Sequence, residues 1–344
     1  MAGFNFYAFW KDIIMTQEHQ IWKTRVFKIG FMILAAMALI LYVVTFTNSA
    51  RTNIPSMIIL LLALIGIVFT LIKEAFTIRS LIADESIFNM ENLMIFAAVF
   101  LGTVITYALS IYAGLGAVLA SGIVGVAAAV FLKKYAAPVF CGSFAGMSSA
   151  LLLNQWELII AALLAGIIYV LAKNVLNGFG GKFGTIAFIA CLLAALISGN
   201  WMPAKNFVGW DIGMLLILIS ISAAVITYVL SIRLKLGPVL ASALIGVMTG
   251  LWFPLIFPES GATMAVMAFC ASFAGMSSPK RLSNEFYIAI AGLISGFAFV
   301  FSYTLQGAGG KLGTIAFGSV MAVYGILKII RKIIDSQKTK PAKV

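Results

Sequence analysis

Charge is scarce in this chain, and the side chains that most enzyme chemistry needs are scarcer still. Charged residues make up 10% of 344, with one histidine, three cysteines and eleven carboxylates. The cysteines, Cys141, Cys191 and Cys270, have no paired spacing, which excludes a disulfide framework and a thiolate zinc site. The histidine is His19, close to the N-terminus. The carboxylates, including Glu74, Glu91, Glu157, Asp211 and Glu285, all read as flanking or loop positions, and none falls at the centre of an apolar run. That pattern argues against a carboxylate proton relay, a metal site or an acid–base dyad within a membrane. No cofactor and no catalytic residue is expected.

Apolar residues, by contrast, make up 62% of the chain, and the mean hydropathy is +1.10. That balance belongs to a protein whose solvent is a bilayer. The net charge of +12 would point to nucleic acid in a soluble protein. Here most lysines and arginines lie between apolar runs, so membrane topology accounts for them and no nucleic acid partner is expected.

Two nine-residue stretches occur twice. CGSFAGMSS at 141–149 returns as CASFAGMSS at 270–278, and GGKFGTIAF at 180–188 returns as GGKLGTIAF at 309–317. Each pair matches at eight of nine positions, and both recur at the same offset of 129 residues. Upstream, ITYALS at 105–110 and LGAVLAS at 115–121 recur 121 residues later as ITYVLS and LGPVLAS. The chain therefore contains a duplication of about 110 residues, with eight extra residues in the second copy near 257–263.

The expected fold is an all-α polytopic membrane protein. Residues 1–25 mix aromatic and charged side chains and read as an amphipathic surface helix. Residues 26–90 hold two transmembrane helices without a second copy, residues 91–209 the first repeat, residues 210–330 the second, and residues 331–344 a basic tail. If the FAGMSS segments cross the membrane there are about twelve spans, as 2 + 5 + 5, and only Arg51, Lys205 and Lys311 of 23 basic residues fall outside. If they do not cross, six fall outside, so the positive-inside rule prefers twelve. An odd number of spans per repeat makes the two repeats inverted, with both termini cytoplasmic. In outline this is similar to several transporter and channel groups, bacterial urea channels among them, whose motifs are absent here.

Two motifs carry the candidate site. In FAGMSS, flexible backbone and paired hydroxyls read as broken or re-entrant helices, the place where inverted-repeat transporters hold substrate. Its candidate residues are Ser143, Gly146, Ser148 and Ser149, with their mates Ser272, Gly275, Ser277 and Ser278. Close packing by small residues explains the same composition without any ligand. The two breaks are expected to approach each other near the midplane. In GGK, a glycine loop enters a helix whose first turn carries Lys182 and Thr185, or Lys311 and Thr314, and such a start can cradle an anion. A snorkelling interfacial lysine is the plainer explanation.

The functional expectation is an inner-membrane transporter or channel for a small polar or anionic solute, bound between the two repeats. The alternative is a non-transporting membrane protein, either a lipid-handling enzyme or an assembly partner. The expected partners are a small molecule or ion and the lipid bilayer, and a homo-oligomer is compatible with this reading. Labelling of single introduced cysteines from each side of the membrane tests the topology. Lys134→Cys and Lys280→Cys should react from the same, cytoplasmic, face; opposite faces would rule out inverted repeats.

Overall fold

The computed structural model describes the backbone of residues 6–79, 89–201 and 209–338, and the side chains of residues 27–78, 89–201 and 209–337. Among the described residues the chain is helical, without strands. The helices are α1 (Phe6–Ala50), α2 (Ile54–Arg79), α3 (Met90–Tyr107), α4 (Ala117–Phe131), α5 (Ala136–Ala145) and α6 (Gln155–Ala172), then α7 (Lys182–Ile197), α8 (Trp210–Tyr228), α9 (Pro238–Ile256), α10 (Gly261–Gly275), α11 (Glu285–Phe301) and α12 (Lys311–Lys338). Seven of them are long and apolar enough to cross a membrane: α2, α3, α6, α8, α9, α12 and the 27–50 part of α1. These helices mark a membrane-embedded protein.

Local chemistry sets several helix starts. Asn89 accepts the Asn92 N–H at 2.7 Å to open α3, and Asn284 accepts the Tyr287 N–H at 3.1 Å to open α11. Asn154 and Glu157 form a reciprocal capping box at α6. The two copies repeat each other in detail. α3 and α8 both end in a π-helical turn, Ala108–Tyr112 and Val229–Arg233. Leu176 and Leu305 both have φ of 53°.

Two features differ from expectation. α1 is one continuous helix, with no boundary between the surface helix expected over 1–25 and the first span; side chains before residue 27 lie outside the described residues. α12 runs on to Lys338 where a basic tail was expected to begin, and residues 339–344 lie outside the described residues. The polar connections at 80–88 and 202–208 also lie outside them. The eight extra residues of the second repeat do not make a longer loop. Relative to their counterparts, α9 ends four residues later and α10 starts four residues earlier, so each gains about one turn. The apolar run 136–153 is interrupted at FAGMSS, where a broken helix is expected. α5 stops at Ala145 after ten residues, about 15 Å of rise, and irregular chain follows to Asn154.

Small residues let backbones touch. α5 lies so close to α3 that a Cβ on Gly146 would come within 2.4 Å of the Thr103 oxygen; a Cβ on Gly275 would come equally close to the Ala224 oxygen on α8. α1 and α2 pack on α12: Tyr42 Oη donates to the Ile315 oxygen at 2.8 Å, and Thr70 Oγ1 to the Met321 oxygen at 2.7 Å. The first turns of α7 and α12 also cross in close contact. There a Cβ on Gly184 would lie 2.6 Å from Gly313 Cα, and one on Gly313 2.5 Å from Gly184 Cα. The neighbouring atoms are backbone and cannot swing away, so Gly184→Ala or Gly313→Ala should each destabilise the protein by about 1–3 kcal/mol. A lowered midpoint in detergent thermal unfolding checks this; an unchanged midpoint in both variants would mean that the crossing is loosely packed.

Candidate functional site

The two motifs meet, but crosswise. Each FAGMSS break docks against the GGK loop of the other repeat. The Gly309 N–H donates to Ser148 Oγ at 3.0 Å, and the Ser149 N–H donates to the Gly307 oxygen at 2.8 Å. In the other pair, the Gly180 N–H donates to Ser277 Oγ at 3.1 Å, and the Ser278 N–H donates to the Gly178 oxygen at 2.9 Å. Ser148 and Ser277 also donate back to Ala145 and Ala274, closing the last turn of α5 and α10. Each serine thus ties off its own helix end and holds the foreign loop.

Gly146 and Gly275 sit against α3 and α8 respectively, while their serines hold the opposite glycine loops. Aromatic rings meet just before the two breaks. The Phe144 and Phe273 rings lie 4.6 Å apart, with Phe140 and Phe269 edge-on around them. Beside this cluster Ser143 pairs with Ser121 at 2.8 Å, and Ser272 with Ser242 at 2.7 Å, all four fully buried.

The lysines turn away from solvent. Lys182 is 5% exposed, and its ammonium donates to the Lys173 oxygen at 3.1 Å, the Val175 oxygen at 2.7 Å and Asn177 Oδ1 at 2.6 Å. Three donors meet three acceptors. Lys311, 8% exposed, donates to the Ser302 oxygen and, at 2.6 Å, to the Thr304 oxygen. Each lysine reaches back to the carbonyls that α6 or α11 leaves unpaired at its end, a favourable place for a cation. This geometry is neither lipid-facing snorkelling nor a cation aimed at a vestibule. The cysteines are also engaged: Cys141 and Cys270 donate at 3.2 Å to the carbonyls of Phe183 and Leu312 in the first turns of α7 and α12.

Thr185 makes a long bond to the Gly181 oxygen at 3.4 Å. The Thr314 hydroxyl is buried without a hydrogen-bond partner among the described residues. Most of the twelve candidate residues therefore hold each other or nearby backbone in this conformation. Space remains at both loops. A cavity of about 220 Å³ is lined by Gly178, Gly180, Lys182, Met276 and Ser278, and one of about 380 Å³ by Leu152, Ala195, Asn200, Leu305 and Gln306.

The sequence reading missed one cluster. Glu74, read there as a flanking acid, is 6% exposed and forms a two-pronged ion pair with Arg281, at 2.6 and 2.9 Å. The available signal was divergence between the copies: Arg281 stands where the first repeat has Leu152.

No known family model matches the chain, and neither a curated protein nor a solved structure does.

Replacing Lys182 with Met takes the ammonium from the buried Val175 carbonyl and the half-buried Lys173 carbonyl, and replacing Lys311 takes it from the Thr304 carbonyl while Ser302 keeps Gln306 as a donor. An unpaired buried carbonyl costs about 1–3 kcal/mol. Both variants should unfold at lower temperature than the parent whether or not anions are present. Stability unchanged by Lys182→Met would mean that water, rather than the ammonium, is the partner of those carbonyls.

Proposed function

We propose that this protein is a multi-pass inner-membrane transporter or channel for a small polar solute, which passes between two inverted repeats. The observation that carries this reading is the reciprocal docking of each serine break on the opposite repeat's glycine loop. The docking brings the N-terminal turns of α7 and α12 together inside the bundle at Gly184 and Gly313, with a cavity beside each loop. Irregular backbone at such a depth is tolerated where it is covered by protein or lines a cavity, and half-helix starts of this kind are where transporters bind their cargo.

Inversion is supported by a chain of contacts at one end of the bundle. Lys134 lies 3.6 Å from Glu91 at the start of α3, the next residue Asn92 accepts from Lys173, and the Lys173 oxygen accepts from Lys182. Lys182 then bonds Asn177, whose carbonyl accepts from Arg281. The basic pair that precedes α5 and the one that follows α10 thus belong to one connected network, the arrangement that two oppositely directed segments require. The reading includes twelve membrane passages, counting α5 with the irregular chain after it as one, and cytoplasmic termini. The lysine charges are absorbed by carbonyls, which favours a neutral polar solute over an anion. The phenylalanine cluster is the apolar constriction on the path, and such constrictions gate by excluding water.

Uptake into proteoliposomes, screened with small neutral amides, polyols and anions, tests the proposal. At least one solute should enter faster than into protein-free vesicles. Phe144→Ala and Phe273→Ala should raise that flux, and Lys182→Gln should leave the choice between neutral and anionic solutes unchanged. Folded protein that moves nothing in the panel, with or without the phenylalanine substitutions, would overturn transport and leave the assembly-partner reading.

A further inference from the structure

The two cavities belong to halves that are alike in backbone and unlike in side chains. Aligning the repeats at their shared offset of 129 residues pairs Leu152 with Arg281, Ala195 with Tyr324, Ala308 with Phe179, and Gln306 with Asn177. In one half, Leu152, Ala195 and Gln306 line the cavity of about 380 Å³. In the other half the equivalent space is filled. The Arg281 guanidinium lies 4.1 Å from the centre of the Phe179 ring and 5.3 Å from that of Tyr324. The two rings meet edge-on at 5.3 Å, and Arg281 Nε donates to the Asn177 oxygen at 3.0 Å. Phe179 of this stack and Asn177 also form part of the wall of the cavity of about 220 Å³, together with Lys182.

The stack is fastened from outside the repeats. Glu74, on α2, grips Arg281 with both carboxylate oxygens, and α1 and α2 have no counterpart on the other half. The side chains of Arg281 and Glu74 are 17% and 8% exposed, so the pair is largely removed from water. Two further cations, Lys73 and Lys328, stand 5.6 and 5.4 Å from the Tyr324 ring. Glu74 therefore faces a group of three cations. Without it, a mostly buried guanidinium lacks its charge partner, which is strongly unfavourable. The readiest relief is for the long arginine stem to swing into water, away from the rings.

We propose that Arg281, Phe179 and Tyr324 form a gate over one mouth of the passage, and that Glu74 of the added two-helix unit is its latch. This rests on the transport reading for its purpose but not for its test. The gate makes the two ends of the passage inequivalent: one is closed by an ion-paired stack, and its counterpart is lined by alanine, leucine and glutamine.

The test uses thiol accessibility in the full-length protein in detergent. With Cys141, Cys191 and Cys270 replaced by Ala, Met276→Cys reports the cavity that Phe179 lines and Gln306→Cys reports the cavity of the other half. The measured quantity is the rate of modification by a charged methanethiosulfonate. Glu74→Gln keeps the shape of the latch and removes its charge. It should raise the rate at Met276→Cys by about tenfold or more, because losing one member of a buried ion pair shifts a two-state equilibrium by at least that factor. The rate at Gln306→Cys should not change, and Glu74→Asp should restore part of the protection. Arg281→Lys keeps the charge but loses the two-pronged grip and the flat stacking surface, so it should give an intermediate rate and serves if Glu74→Gln does not fold. Parental rates at Met276→Cys in the folded variants would make the stack fixed packing and overturn the gate. A protein that transports nothing would instead fail the flux screen in parent and Glu74→Gln alike, while the thiol rates still decide the gate.

Discussion

Irregular backbone buried inside a membrane protein must find its hydrogen-bond partners within the protein, because lipid offers none. The loops before α7 and α12 are such backbone, and the architecture around them follows from that requirement. Their N–H and C=O groups are taken up by Ser148, Ser149, Ser277 and Ser278 of the opposite repeat, by Lys182 and Lys311 from the helices that they lead into, and by Arg281 from across the bundle. The left-handed conformation at Leu176 and Leu305 is unfavourable for residues with a Cβ, and the same strain is kept in both copies. Strain of this kind persists where surrounding contacts over-determine the backbone, as the serine docking does here.

The requirement also explains why small residues and serines recur together. A glycine at 184 or 313 lets α7 and α12 touch, and that contact holds each loop within reach of the other repeat's serine. Packing and hydrogen bonding are one device in this motif. The readings of FAGMSS as close packing and as a helix break are both visible, Gly146 serving the first and Ser148 the second.

Much of the architecture was legible in the sequence because it is local. The duplication, the helix starts at Lys182 and Lys311 and the interruption after Ala145 are set by glycines, caps and apolar runs that can be read within a few residues. The candidate site was legible only as an inventory. That Ser148 answers to Gly309 and Ser277 to Gly180 depends on crossing between repeats, which no local pattern encodes. The lysines were ambiguous for a different reason. A glycine loop followed by lysine has the same composition whether the ammonium faces an anion or turns back onto its own loop's carbonyls. Glu74 looked like an interfacial acid because its partner lies 207 residues away in the sequence.

The extra turn on α9 and on α10 bears on the surrounding lipid as well as on the protein. Four residues add about 6 Å to each arm of that hairpin relative to α4 and α5. The added length of α9 carries exposed apolar side chains, including Leu255 and Ile256, and Trp252 and Phe257 flank it. With 19 residues α9 rises about 28 Å, close to the usual hydrocarbon thickness, whereas α4 with 15 residues rises about 22 Å. On the reading in which both helices cross, the α9 flank matches the bilayer and the α4 flank is the short one, where lipid must thin. Each ångström of such mismatch costs a fraction of a kcal/mol.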